Sequence, residues 1–175
     1  MMAVFDDVSF VKAMLEFEHA LAVAEAENGL FEAHIAEIIG HFCDVLNFDL
    51  EDLAQQSVRN GTVVVPLVRQ LRDLVAGKDK NASGWVHFGA TSQDVIDTAM
   101  VLQLKKALNI LEVDMRRLDS GLKSLAKENE KTIMLGRTLM QPAVPITFGQ
   151  KVKGWHSAIL RNWKRIENAG EETFI

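Results

Sequence analysis

The sequence predicts an all-α protein: a small N-terminal helical domain leading into the first long helices of a multi-helix bundle. Three observations carry that expectation. From Val101 onward Leu104, Leu108, Leu111, Met115, Leu118, Leu122 and Leu125 recur at alternating steps of three and four, the pattern of a long helix with a coiled-coil-like seam. The same stepping recurs in Phe10, Met14, Phe17, Leu21 and Ala24, and again in Phe148, Val152, Trp155, Ile159, Trp163 and Ile166. Strand-like alternation is missing: the run Val63–Val65 is cut at once by Pro66 and has no visible partner.

Taken in order, the first helix is expected to be capped by Ser9 and stopped by Asn28-Gly29, with Glu16, Glu18, Glu25 and Glu27 on its solvated faces. A second helix is expected over residues 32–43, with Ile35, Ile38, Ile39 and Phe42 turned inward. A third is expected over residues 49–57, capped by Asp49 or Asn47. The stretch from Arg59 to Val65 reads as a loop into a fourth helix with Pro66 in its first turn, an apolar face of Leu67, Val68, Leu71, Leu74 and Val75, and an end at Gly77. Residues 78–84 form a polar connection. The long helix then runs from about Ser92 to Asn129, on the order of 55 Å at about 1.5 Å per residue. Thr91 stands three residues before Asp94, as in a capping box. Residues 132–142, with Gly136, Pro142 and Pro145 nearby, are expected to make an irregular crossing before a final helix that starts near Pro145. The domains implied are 1–90 for the small helical domain and 91–175 for the long helices.

Composition narrows the function. A net charge of −5 without a basic cluster argues against nucleic acid and against an anionic membrane surface. There is no 18-residue apolar run and no signal-peptide order at the start, so neither a membrane span nor export is expected. The single Cys43 lies among Ile38, Ile39, Phe42 and Val45 and reads as a buried thiol that fits a reducing cytoplasm. Metal ligation is not expected, because His19, His34, His41, His87 and His156 include no i, i+4 pair. No nucleotide or dinucleotide fingerprint is present either, so no cofactor is implied. Apart from His87, the histidines read as surface or packing residues.

Three patches rise above core and surface. In the first, His87 precedes Thr91, Ser92, Gln93 and Asp94. A Gly-Ala-Thr-Ser turn there offers two hydroxyls and backbone amides at the positive end of a helix, suited to a carboxylate or phosphate. The same residues also read as a plain capped helix behind a histidine packed against aromatics. In the second, Arg137, Thr138 and Gln141 lie in a turn bounded by Gly136 and Pro142, where arginine could pair with a carboxylate or the loop could merely reverse the chain. The third, Asn60-Gly61-Thr62, reads as a turn.

The first two patches, in this order and separated by a heptad helix, resemble the fumarase/aspartase superfamily. Residues 87–94, HFGATSQD, are similar to its H-x-G-x-T-S-x-D segment, and residues 136–141, GRTLMQ, to its G-R-T-H-x-Q segment. The resemblance covers about Ser9 to Trp163. It implies a homotetramer whose long helices form one bundle, with active sites built from three subunits. The bundle within this chain would therefore be incomplete, its stripe needing more partners than the chain contains. Residues 13–22, 66–68 and 89–98 are similar to the 3-carboxy-cis,cis-muconate cycloisomerase branch. Leu139 stands where the lyase pattern has histidine, and the region of Asn60 to Val65 lacks the imidazole of adenylosuccinate lyases. Leucine can neither give nor take a proton, so the resemblance favours lactonisation of a muconate tricarboxylate over elimination. It assigns Thr91 and Ser92 to a substrate carboxylate and Thr138 and Gln141 to substrate from another subunit, with His87 and Arg137 as neighbours. The superfamily's serine-bearing loop has no counterpart here, so no catalytic residue is assigned. The chain is expected to be an N-terminal portion, inactive alone. An adenylosuccinate-lyase-like enzyme and a non-catalytic helical oligomerisation module remain as alternatives.

Overall fold

The computed structural model describes residues 1–174, with Ile175 outside the description. Seven α-helices and one two-stranded sheet are present among the described residues: α1 (Asp7–Glu27), α2 (Ala33–Phe42), α3 (Leu50–Asn60), α4 (Val64–Lys78), α5 (Lys80–Ser83), α6 (Ser92–Glu128), β1 (Ile133–Thr138), β2 (Gln141–Thr147) and α7 (Phe148–Thr173). The all-α expectation therefore holds for the class, with the hairpin as its exception. The chain divides into two compact units, Met1–Lys106 and Ala107–Ile175.

In the first unit, α1 to α5 and the opening turns of α6 enclose one apolar core. Met14 and Leu15 of α1 meet Ile39 of α2, Leu53 of α3, Leu67, Leu71 and Val75 of α4, and Val95 and Ala99 of α6, all buried. Helix α1 is capped by Asp6, whose carboxylate accepts the Ser9 N–H at 2.8 Å. The capping side chain is thus Asp6, and Ser9 only donates its backbone N–H to it. The buried face of α1 runs through Val11, Met14, Leu15, Glu18, Ala22 and Glu25, one residue out of phase with the expected stripe, whose Phe10, Phe17 and Leu21 are half-buried at its flank. Glu18 and Glu25 are consequently interior, against expectation. Asp49 caps α3 through the Asp52 N–H at 3.0 Å. Pro66 is the third residue of α4, where a missing N–H costs nothing. The polar connection after α4 contains a helical turn, α5, whose cap Asp79 accepts from Asn81 and Ala82.

Helix α6 begins and ends within a residue of its expected bounds. The Asp94 carboxylate reaches back to accept the Thr91 N–H at 2.8 Å, the returning arm of a capping box.

In the second unit α6 and α7 run antiparallel. Gly149, at the start of α7, sits where an added Cβ would lie 2.6 Å from the Ala126 carbonyl and 2.8 Å from that of Asn129, so only glycine admits this approach. Further along, His156 Nε2 lies 2.6 Å from Asp119 Oδ1, and Leu108 is close to Gly170. The seam divides. Leu108, Met115, Leu122 and Leu125 are half-buried, whereas Leu104, Leu111 and Leu118 stay exposed.

Between the helices, the expected irregular crossing is an antiparallel hairpin. β1 pairs with β2 from Ile133 opposite Thr147 to Thr138 opposite Gln141, with an irregularity between Leu135 and Arg137. Gly136 occupies that irregularity, where a Cβ would lie 2.6 Å from the Val144 carbonyl. The tip is Leu139-Met140, both at positive φ (46° and 65°), as a two-residue turn matched to strand twist requires. Because the Asn-Gly or Asp-Gly signature of such turns is absent, the sequence carried no hairpin signal. The same hairpin delays α7 to Phe148, capped by Thr147 through the Gln150 N–H, so Pro145 lies in β2 and not at the helix start.

Candidate functional site

The segment joining α5 to α6 is built to aim one side chain. Val86 is buried, and its carbonyl accepts from Arg72 Nε at 3.3 Å and Nη2 at 3.0 Å, tying the segment to α4. Trp85 packs between Phe31 and Phe88 at centroid distances of 5.0 and 4.9 Å. His87 then takes a left-handed backbone (φ 58°) and Gly89 another (φ 70°). A left-handed non-glycine residue costs roughly 1–2 kcal/mol and persists only where surrounding contacts impose it. Here the turn sends the imidazole back toward α1, where Nδ1 meets Glu18 Oε1 at 2.7 Å.

Behind the ring lies an acidic interior. Glu18 is 1% exposed and Glu25, two helical turns on, 8% exposed, and one oxygen of each, Oε2, has no hydrogen-bond partner among the described residues. Burial, with the Glu18 charge second, pushes the Glu25 carboxyl above its usual range. The same two causes, in the same order, push the half-buried Cys43 thiol up to about 12. A site residue of this kind was legible in principle: Glu18 and Glu25 stand in phase with Val11, Met14 and Ala22. The bulkier neighbouring stripe of Phe10, Phe17 and Leu21 masks that phase in the sequence.

In front of the ring is a cavity of about 440 Å³ lined by Val64, Val65, Val68, Arg69, Arg72, Asp73, His87 and Ser92. Two predicted residues, His87 and Ser92, thus share one wall. Thr91 is exposed beside them, its N–H taken by Asp94. Arg69 and Arg72, which sequence reasoning passed over, add cations to that wall. Valines close one side of it, an arrangement suited to a ligand with an anionic end and an apolar body.

The other three predicted residues belong to the second unit. Thr138 and Gln141 face each other across the hairpin tip, and Arg137 pairs with Pro142. Leu139 and Met140 between them are 93% and 98% exposed. Arg137 also lines a cavity of about 570 Å³ with Met134, Leu135, Gly136, Ile146, Gln150 and Lys151. The fold therefore gathers the six residues into two clusters of three, one per unit.

A helical unit whose cavity Arg69, Arg72, His87 and Ser92 help to line, at the start of a long helix that leads to a hairpin, is the architecture of a helical-bundle protein. The sequence profile of a lyase family matches residues 1–174, and the chain belongs to that family, the fumarase/aspartase superfamily. It is 41% identical over 161 residues to the 3-carboxy-cis,cis-muconate cycloisomerase of Bradyrhizobium diazoefficiens, covering 92% of this chain and 36% of that protein. It is 38% identical over 170 residues to the enzyme of the same name from Pseudomonas putida, covering 97% and 40%. The crystal structure of the 3-carboxy-cis,cis-muconate lactonizing enzyme from Pseudomonas putida superposes with a TM-score of 0.93 at 36% identity, covering 95% of this chain and 38% of that one. The chain thus spans 36–40% of the length of these relatives. No helix among the described residues is long and apolar enough to cross a membrane.

Proposed function

We propose that this chain belongs to a 3-carboxy-cis,cis-muconate cycloisomerase acting in the breakdown of aromatic compounds. In that reaction a carboxylate oxygen of the substrate adds across one of its own C=C bonds, and a proton is delivered to the neighbouring carbon. Neither metal nor organic cofactor is called for by this chemistry. The observation that carries the reading is Leu139. It stands at the hairpin tip, almost wholly exposed between Thr138 and Gln141, where the lyase pattern places a proton-transferring histidine. An apolar side chain there removes the imidazole of the elimination reaction while leaving the flanking polar groups. Similarity to two cycloisomerases supports the same branch.

In this reading Thr91 and Ser92 hold a substrate carboxylate at the positive end of α6, with His87 and Arg137 as neighbouring groups and Thr138 and Gln141 contributing from another subunit. The assembly is a homotetramer in the cytoplasm, its substrate a small carboxylate. Residues 1–90 form the small helical domain and residues 91–175 the first long helices of the bundle. The catalytic group comes from the serine-bearing loop of the superfamily, so the 175-residue chain alone turns nothing over.

The test is an ultraviolet absorbance assay on the protein completed with that loop. Loss of diene absorbance from 3-carboxy-cis,cis-muconate supports the proposal. Turnover of adenylosuccinate in its place transfers the chain to the lyase branch, and activity on neither leaves a helical oligomerisation module.

A further inference from the structure

The most unusual group in the molecule is one the proposed reaction does not use, the carboxyl of Glu18. It is sealed from water at 1% exposure, and its single hydrogen-bond partner among the described residues is His87 Nδ1 at 2.7 Å. Burying a carboxyl with one partner is costly, so a fold that does so is using the contact. The surroundings say how. Neighbouring Glu25 and Cys43 are both pushed above their ordinary ranges, by burial first and the Glu18 charge second, and neither hydrogen-bonds the Glu18 carboxyl. A ring N–H can donate to a carboxylate oxygen, and the 2.7 Å contact places Nδ1 to do so. The backbone agrees with a directed purpose. Left-handed turns at His87 and Gly89, and the Arg72 clamp on the Val86 carbonyl, aim the ring at α1 while it still lines the cavity shared with Ser92.

We propose that Glu18 is a positioning residue for His87: its buried carboxylate accepts the Nδ1–H, fixing the tautomer that leaves Nε2 as a bare acceptor on a ring that lines the Ser92 cavity. Free imidazole prefers its proton on the other nitrogen, and which nitrogen carries it is set by the bond the first one makes. Without Glu18 the ring would present a donor, or no fixed group at all. A cavity whose other polar contributors are Arg69, Arg72, Asp73 and Ser92 thereby gains, beside the Asp73 carboxylate, a neutral acceptor that can receive a substrate O–H or proton. The inference rests on reading the His87–Ser92 wall as a substrate site, but its test does not.

That test is long-range proton–nitrogen NMR on the chain labelled with ¹⁵N-histidine, with His87 assigned by the signal lost in His87→Gln. The expected result is a proton on Nδ1 in every state, and a bare Nε2 once the ring is neutral. A bare Nδ1 with a protonated Nε2 overturns the proposal. In Glu18→Gln the neutral ring is expected to move at least half its population to the Nε2–H form, while the other four histidines keep their signals. An unchanged His87 signal in a folded Glu18→Gln protein also overturns it, and should that variant not fold, the wild-type tautomer decides alone. If the Nδ1–H form is found and the completed protein leaves carboxymuconate untouched, the cycloisomerase reading falls and this one stands.

Discussion

Glu25 of α1 and Cys43, just past the end of α2, have consequences that can be measured directly. Glu25 binds its proton more tightly folded than unfolded, because burial and the Glu18 charge raise it above 4.5. The folded state therefore holds more protons than the unfolded one over that interval, and stability must fall as pH rises from the unfolded value through the raised one. Replacing the group by an amide that cannot ionise removes this slope. Glu25→Gln is expected to flatten the acid-to-neutral stability profile in urea titrations, and at pH 7 to be at least as stable as the parent. A steeper loss in the variant would contradict the assignment. Cys43, pushed up to about 12, should carry roughly a thousandfold less thiolate at pH 8 than an ordinary cysteine. Alkylation by iodoacetamide is expected to be slower by about that factor in the native chain and to recover in denaturant. Equal rates in the two states would show the thiol to be unshielded.

At the scale of elements, the pairing of α6 with α7 depends on one missing methyl. Gly149→Ala places carbon 2.6 Å from the Ala126 carbonyl, with two further backbone atoms at 2.8 Å. Backbone cannot swing aside as a side chain can, so overpacking here should cost about 1–3 kcal/mol. The midpoint of urea unfolding followed by circular dichroism is the check, with the open-space glycine variant Gly154→Ala expected to be neutral or slightly stabilising. The hairpin is a second element whose geometry is set by contact and not by propensity. Leu139 and Met140 hold left-handed backbones that neither residue favours, and the strand pairing on either side keeps them there. Some helix ends, by contrast, were legible from nearby residues: Thr91 with Asp94 for α6 and, of the two candidates Asp49 and Asn47, Asp49 for α3, whereas at α1 the cap is Asp6 and not the expected Ser9. Caps act over three residues and need no distant partner.

For the molecule as a whole, the exposed half of the seam is the telling feature. Leu104, Leu111 and Leu118, one per heptad, remain exposed along one line of α6. Apolar surface of that continuity is seldom left bare, and the proposed tetramer would cover it. The chain is expected to self-associate in sedimentation-velocity runs at micromolar concentration, and the double variant Leu111→Glu, Leu118→Glu to shift it toward monomer without loss of helix content. A sharp monomer for the parent chain would remove the argument for a shared bundle.

Sequence alone determined the helical class, the bounds of α6 to within a residue, the caps of α3 and α6, and the lyase superfamily. Each of these rests on local or periodic information: a side chain three residues away, a step of three and four, a short motif. Tertiary structure decided the rest. Which stripe of α1 turns inward depended on what α2, α4 and the His87 segment offered it, and that placed Glu18 and Glu25 inside. Whether residues 133–147 would cross or fold back depended on cross-strand pairing from Ile133 to Thr138 and on the close approach that unpaired Gly136 allows. The partner of His87 lies 69 positions away, and no periodicity in a chain records a hydrogen bond made across that distance.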